Sequence, residues 1–404
     1  MKLCPLAGFV EELESGSRPR KGITDDPEVP SLGGEHIDSD GTVRTNKFKY
    51  ITRETFESLR SGRVSCGDIL IVKDGATTGK TAYFDGTYPF KDVALNEHVF
   101  RLKTNPDTAF NKYVFWFLFS NRGQVEMQKD FRGATVGGIS RGFVEKVDLP
   151  IPFKNGKPDL NEQKRIAAIL DKADGIRRKR QQALRLADDF LRSVFLDMFG
   201  DPVNNPKSWD ELEFSEIVQN TFRNGLSPSN SGVVEGEVFT LSAITSGKLD
   251  FKHSKTAMFD RKPSTNQLAD ENAFLMCRGN GNKRLVGIGV FGSRDSKSIG
   301  FPDTIIACNP SPDLIEKDYL SFIWNSPCVR RQIERKARTT NGTYKVNQTM
   351  LASIRFPVPS LSLQRDFARI SAAVRSQTKK QMEQQIESEN LFSSLQQRAF
   401  RGEL

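Results

Sequence analysis

The sequence is poor in the residues that build most catalytic and metal centres. It has only three histidines in 404 residues, and they stand far apart at positions 36, 98 and 253. No histidine cluster for a metal, and no Ser/His/Asp or Cys/His set, can be assembled from them. The five cysteines (Cys4, Cys66, Cys277, Cys308, Cys328) are scattered and include no C-x-x-C pair. That pattern excludes a disulfide framework or zinc site and reads as reduced thiols in a cytoplasmic protein. No apolar run approaches the ~20 residues that cross a bilayer. Glu11, Glu12 and Glu14 break the apolar residues near the N-terminus, so no signal peptide is expected. Acidic charge is also short: 50 Asp and Glu against 59 Lys and Arg leave a net charge of +9. A surplus of that size favours a polyanion, nucleic acid above all, as partner.

What is present is organised around one stretch, Asn161 to Gly200. Its apolar residues include Ile166, Ile169, Leu170, Ala173, Ile176, Ala183, Leu184, Ala187, Phe190, Leu191, Val194, Phe195 and Met198. Steps of three and four place them on one stripe of a long amphipathic helix. Asn161 is the expected N-cap, and Gly200 with Pro202 closes the end. At ~1.5 Å per residue this helix would span roughly 58 Å, more than most domains are wide. A second copy follows at Leu361 to Gly402: a shift of 201 positions carries Ile166 onto Phe367, Ile169 onto Ile370 and Phe199 onto Phe400. The lead-ins match, Leu149-Pro150-Ile151-Pro152 and Phe356-Pro357-Val358-Pro359, each followed by Leu-x-x-Gln. A repeat of this length decides the fold before any local element does.

The flanking segments repeat as well. In residues 1–155 a short helix is expected at Leu6 to Leu13, with strands at Val29 to Leu32, Gly67 to Lys73, Tyr83 to Asp85 and His98 to Leu102. A glycine turn is expected at Gly75 to Thr81, a buried helix at Phe110 to Phe119, and a loop at Phe131 to Arg141. Residues 203–360 follow the same plan, with Phe214 to Val218, Val238 to Leu241, Ala273 to Arg278, Tyr319 to Trp324 and Ala337 to Lys345 as the counterparts. The fold class is α+β: two similar globular domains separated by two long antiparallel helices in a pseudo-twofold repeat. The segments are 1–155, 156–202, 203–360 and 361–404. Gln377, Gln381, Gln384, Gln385 and Ser388 oppose a dry seam at mid-length. The run Arg177-Arg178-Lys179-Arg180 is either a solvated face or a contact to a partner or to DNA.

Three apparent motifs are set aside. Asp74 to Thr81 resembles a P-loop, but Asp74 stands where its first glycine belongs, and a strand rather than a helix follows. Pro158-Asp159 with Glu162 and Lys164 imitates a nuclease pattern, yet these residues share a helix start and serve as caps there. Asn309-Pro310-Ser311-Pro312 lacks the third and fourth residues of an amino-methyltransferase turn. No catalytic site is expected. The candidates that remain are basic residues in glycine-, threonine- and asparagine-rich turns, which can approach phosphates and base edges. They are Arg18, Arg20, Lys21, Lys73, Lys80, Arg132 and Arg141 in the first half. In the second they are Arg223, Arg278, Lys283, Arg284, Arg338 and Lys345.

GDILIVKDGATTGK, LPIP with LNEQKRIAAILDKAD, LRSVFLDMFGDP and FPVPSLSLQRDFA together make the chain resemble the specificity subunits of type I restriction–modification systems, over essentially its whole length. The second helix departs from the family pattern, with Phe367-Ala368-Arg369-Ile370 and a glutamine-rich middle. The resemblance implies two target-recognition domains, each reading half of a bipartite double-stranded DNA site, with the helices setting the spacer. It implies two modification subunits that use S-adenosylmethionine, and two restriction subunits that bring ATP and Mg. The chain itself would bind no cofactor and catalyse nothing. A stand-alone DNA-binding regulator, or the recognition protein of another defence system, is the alternative.

Overall fold

Both long helices are present, as Leu160–Phe199 and Leu361–Arg401. The computed structural model describes residues 1–17, 23–133, 137–340 and 342–404. It divides into two compact units, Met1–Gln182 with Met382–Leu404, and Ala183–Gln381, so the division falls inside both helices. Asp159, not Asn161, caps the first helix: its Oδ1 accepts the Glu162 N–H and its carbonyl accepts that of Gln163, both at 3.1 Å. A short anionic side chain at a helix N-terminus satisfies a free amide and the helix dipole together. Glu162 turns to Arg165 at 2.7 Å, which accounts for the nuclease-like pattern.

In the first unit a four-stranded antiparallel sheet has the order Val10–Ser15, Val99–Thr104, Ile69–Val72, Thr81–Tyr83. The Asn111–Phe119 helix packs on it, and Ile69, Ile71, Phe100, Leu102, Tyr113 and Phe117 form the core. The expected helix at Leu6 to Leu13 is corrected. Leu6–Phe9 is a 3-10 turn, and Val10–Ser15 is a strand. The strand wins because Arg101, opposite it, engages Glu12 and Glu14 on one face. The expected Tyr83 strand lies two residues earlier, at Thr81–Tyr83.

The second unit repeats this sheet with the order Arg223–Asn224, Ile305–Cys308, Phe274–Cys277, Gly289–Phe291. The Lys317–Trp324 helix packs on it, and Phe214, Phe274, Tyr319, Trp324 and Phe356 fill the core. The Phe214–Ile217 3-10 turn matches Leu6–Phe9. The lead-in repeat also has the same role twice. Tyr113 donates its hydroxyl to Pro150 O at 2.5 Å, and Tyr319 donates to Pro357 O at 2.7 Å.

The helices enter both cores. In the first unit Ile166, Leu170, Phe392 and Phe400 are buried together, and Arg165 donates to Leu404 O, so the two helix segments there run antiparallel. In the second unit Phe195 and Phe199 meet Phe367. The apolar stripe is not buried throughout, however. Ile176 is 46% and Phe190 52% exposed, joined by Leu186, Ile386 and Leu391. The buried positions near mid-length are polar: Arg180 donates to Gln384 O at 2.6 Å and to Ser388 Oγ, and Gln385 is buried. These side chains occupy the seam, so the apolar ones beside it face outward.

Gly175 sits in the first helix without breaking it, and a Cβ built there meets nothing within 4 Å. Gly175→Ala is therefore expected to raise the unfolding free energy by about 1 kcal/mol, through helix propensity alone. A denaturation midpoint that stays the same or falls would show that this glycine is needed for backbone geometry.

Candidate nucleic-acid interface

The central strand of each sheet ends in a basic residue followed by a turn. After Ile69–Val72 come Lys73, Asp74 and Gly75; after Phe274–Cys277 come Arg278, Gly279 and Asn280. A distant segment then folds back onto each turn. In the first unit Ile139 N–H donates to Lys73 O at 2.7 Å, and Gly138 bridges both Asp74 and Arg132. In the second, Val346 N–H donates to Arg278 O at 2.9 Å, and Lys345 pairs with both Gly279 and Arg338. The two tips thus share one hydrogen-bond frame. Lys73 corresponds to Arg278, Arg132 to Arg338, and Gly138 to Lys345.

Close backbone approach is what each frame requires. A Cβ on Gly138 would lie 2.7 Å from Lys73 O, and one on Gly279 would press on Lys345 Cγ at 3.0 Å. Asp130 anchors the first return loop. Its carboxylate accepts from Ser140 N and Oγ, both at 2.7 Å, from Lys146 Nζ at 2.6 Å and from Arg132. Burial alone would raise this carboxyl, but Lys146 and Ser140 hold it down at about 2.

In the second unit the frame is a three-stranded ribbon of Gly279–Asn280, Thr343–Lys345 and Arg338–Thr340. It brings together Arg278, Lys283, Arg284, Arg338 and Lys345 from two separate stretches of chain. Lys283 Nζ lies 5.7 Å from the Tyr344 ring centre, and Arg278 pairs with Asp303 at 3.5 Å. Arg284, Arg338 and Lys345 are exposed. Arg223 stands apart from them. It donates to Asn309 Oδ1 at 2.7 Å and to Asn266 O, and burial pulls its guanidinium below the usual value.

In the first unit Asp74 and Arg132 both pair with Gly138, Lys73 precedes Asp74, and Arg141 is exposed beside Ser140. Lys80 lies at the far end of the glycine turn, lining a cleft with Asn121, Gln124 and Arg177. Arg18, Arg20 and Lys21 lie outside the described residues. The basic run on the first helix serves locally: Arg177 pairs with Asp174 and covers the Phe392 ring, and Arg178 holds Asp174 and Asp40 O. Sequence reasoning noted Asp74 only as a departure from the P-loop and passed over Gly138, whose pairing with it no short-range signal announces. Among the described residues no group of His, Cys, Asp and Glu could hold a metal ion. No helix there is long and apolar enough to cross a membrane.

Residues 10–186 match the type I restriction modification DNA specificity domain. The chain is 23% identical over 314 residues to the type I restriction enzyme StySPI specificity subunit of Salmonella potsdam, a stretch covering 72% of this chain and 65% of that protein. Its fold is similar to the crystal structure of a type I restriction–modification S subunit from M. genitalium, with a TM-score of 0.58 at 14% identity over 99% of this chain and 96% of that one. A second structure, from work on assembly and conformational transition of the type I system, gives a TM-score of 0.51 at 15% identity over 100% and 98%. The chain thus carries a match to the type I specificity domain over residues 10–186 and, over its whole length, a fold similar to that of type I restriction–modification S subunits.

Proposed function

We propose that the chain reads double-stranded DNA as the specificity subunit of a type I restriction–modification complex. Residues 1–155 and 203–360 each recognise one half of a bipartite site, and the long helices set the unread spacer between the halves. Two modification subunits, with S-adenosylmethionine, dock on the helices and methylate the DNA. Two restriction subunits bring ATP and Mg. The chain binds none of these cofactors, catalyses nothing itself and works in the cytoplasm.

The observation that carries this reading is the duplicated tip. A shared hydrogen-bond frame, built twice from unrelated loop sequences, as isolated bridges in the first unit and as a ribbon in the second, carries Lys or Arg at the same two places, Lys73 with Arg132 and Arg278 with Arg338. The B-DNA major groove admits a two-stranded β-ribbon, and basic side chains there can contact phosphates or guanine edges. The exposed Ile176, Leu186, Phe190, Ile386 and Leu391 on the long helices supply apolar surface for protein partners.

The test is to map methylated adenines across the genome with and without the gene. One bipartite motif is expected to vanish when the gene is removed. Replacing residues 1–155 with those of a relative is expected to change one half of that motif only. A methylation pattern unaffected by deletion, or a swap that rewrites both halves, contradicts the proposal.

A further inference from the structure

The shared frame has one cross-strand pair at which the two units present opposite chemistry. In the first unit the cross-strand pair is Asp74 with Gly138, and in the second it is Gly279 with Lys345. Each pair therefore carries a single side chain, because its partner is a glycine; a Cβ on Gly138 would collide with Lys73 O, and one on Gly279 would sit tightly against Lys345 Cγ and Tyr344 O. That side chain is a carboxylate in one unit and an ammonium in the other. Around it the frame keeps its charge type, Lys73 for Arg278 and Arg132 for Arg338.

Asp74 is held for presentation. His98 Nδ1 lies 2.5 Å from Asp74 Oδ1, His98 O accepts the Lys73 N–H at 2.9 Å, and Lys73 Nζ is 3.9 Å from Asp74 Oδ2. One oxygen is tied to the imidazole, and the other keeps lone pairs beside a lysine. The Asp74 side chain is 28% exposed, enough to reach a ligand at the tip. Lys345 is exposed on the middle strand of its ribbon.

We propose that the one side chain carried by this cross-strand pair, Asp74 on one strand in the first unit and Lys345 on the opposite strand in the second, is a specificity determinant in both units, and that the two half-sites differ there because its charge is reversed. The inference rests on the reading of the chain as a DNA specificity subunit. An ionised carboxylate only accepts hydrogen bonds, so Asp74 selects a base with a major-groove amino group, cytosine N4 or adenine N6. An ammonium only donates, so Lys345 selects acceptors, guanine O6 and N7 foremost. His98 is a positioning residue for Asp74.

The experiment uses the full chain with its modification partners, in cells lacking the native copy, and reads methylated adenines genome-wide. Asp74→Asn adds a donor to the acceptor. It is expected to relax base preference at one position of one half-site by about 10- to 100-fold, leaving the other half and the spacing unchanged. Lys345→Gln is expected to do the same at one position of the other half. His98→Gln is expected to weaken preference at the Asp74 position alone. Unchanged preference at every position in Asp74→Asn and Lys345→Gln, with the wild-type motif intact, overturns the proposal and leaves the family reading standing. Equal loss on all sequences, in a chain that melts like wild type, also overturns it, since that is the mark of a phosphate or structural contact. A wild-type chain that directs no bipartite motif refutes the functional reading beneath it. The two variants lie in different units, so failure of one to fold leaves the other decisive.

Discussion

Gln163→Ala is expected to destabilise the first unit by about 2–5 kcal/mol, and Gln364→Ala to do the same in the second. Both glutamines close the Leu-x-x-Gln repeat, and both are fully buried. Gln163 Oε1 accepts the Phe110 N–H at 2.8 Å, and its Nε2 donates to Thr108 O at 3.2 Å. Gln364 Oε1 accepts the Glu316 N–H at 2.9 Å, and its Nε2 donates to Leu314 O and Pro359 O. Phe110 and Glu316 are the residues that precede the Asn111–Phe119 and Lys317–Trp324 helices, so each amide ties a long helix to the start of a domain helix. Truncation leaves a backbone donor and acceptor buried without partners, at about 1–3 kcal/mol each, and opens a void beside them. Hydrogen exchange resolves the units separately. Gln163→Ala should speed exchange in 111–119 and leave 317–324 protected, and Gln364→Ala should do the reverse. Gln163→Glu should not rescue at neutral pH while ionised, because a carboxylate cannot donate to Thr108 O. Unaltered protection in both variants would reduce the motif to coincidence.

The same residues show why part of the molecule could be read before folding and part could not. The long helices were legible because their 3.6-residue period is local and occurs twice at one spacing. The strand at Ile69–Val72 and the helix at Asn111–Phe119 were legible for similar reasons of propensity and apolar density. Helical periodicity misled at Val10–Ser15, where a strand forms because Arg101, 87 positions from Glu14, gathers the glutamates. The polar seam was legible too, since Gln385 and Ser388 in the second helix opposed a dry one, and the structure buries both while Ile176 is exposed. The tips were found only as scattered basic turns. Lys73 and Ile139 are joined by a backbone hydrogen bond that no short-range pattern announces. Arg178 was ambiguous for the same reason, its partner Asp40 lying 138 positions away.

Arg101→Met is expected to cost about 3–5 kcal/mol at neutral pH, with the loss shrinking as the solution is acidified. Arg101 is 8% exposed on the Val99–Thr104 strand and meets Glu12, Glu14 at 2.8 Å and Asp68 at 3.3 Å. Asp68 is itself only 2% exposed. Burial lifts its carboxyl above the ordinary value, although the Ser65 N–H and Arg101 pull it back. A folded-state value above the unfolded one means that the folded chain holds the proton more firmly. Ionised Asp68 therefore opposes folding as pH rises through that interval, and protonation relieves it. Without the guanidinium the interval widens upward, because the positive charge that offset burial is gone. Arg101→Met should thus lie furthest below wild type near neutral pH and approach it as the pH is lowered. Asp68→Asn in the same background should recover a large share of the loss at pH 7 and flatten the pH dependence, since an amide needs no counter-charge. Denaturant titrations of the four chains across this range complete a double-mutant cycle. A pH-independent deficit, or an additive cycle, would mean that Arg101 acts through packing of its stem rather than by neutralising a buried acid.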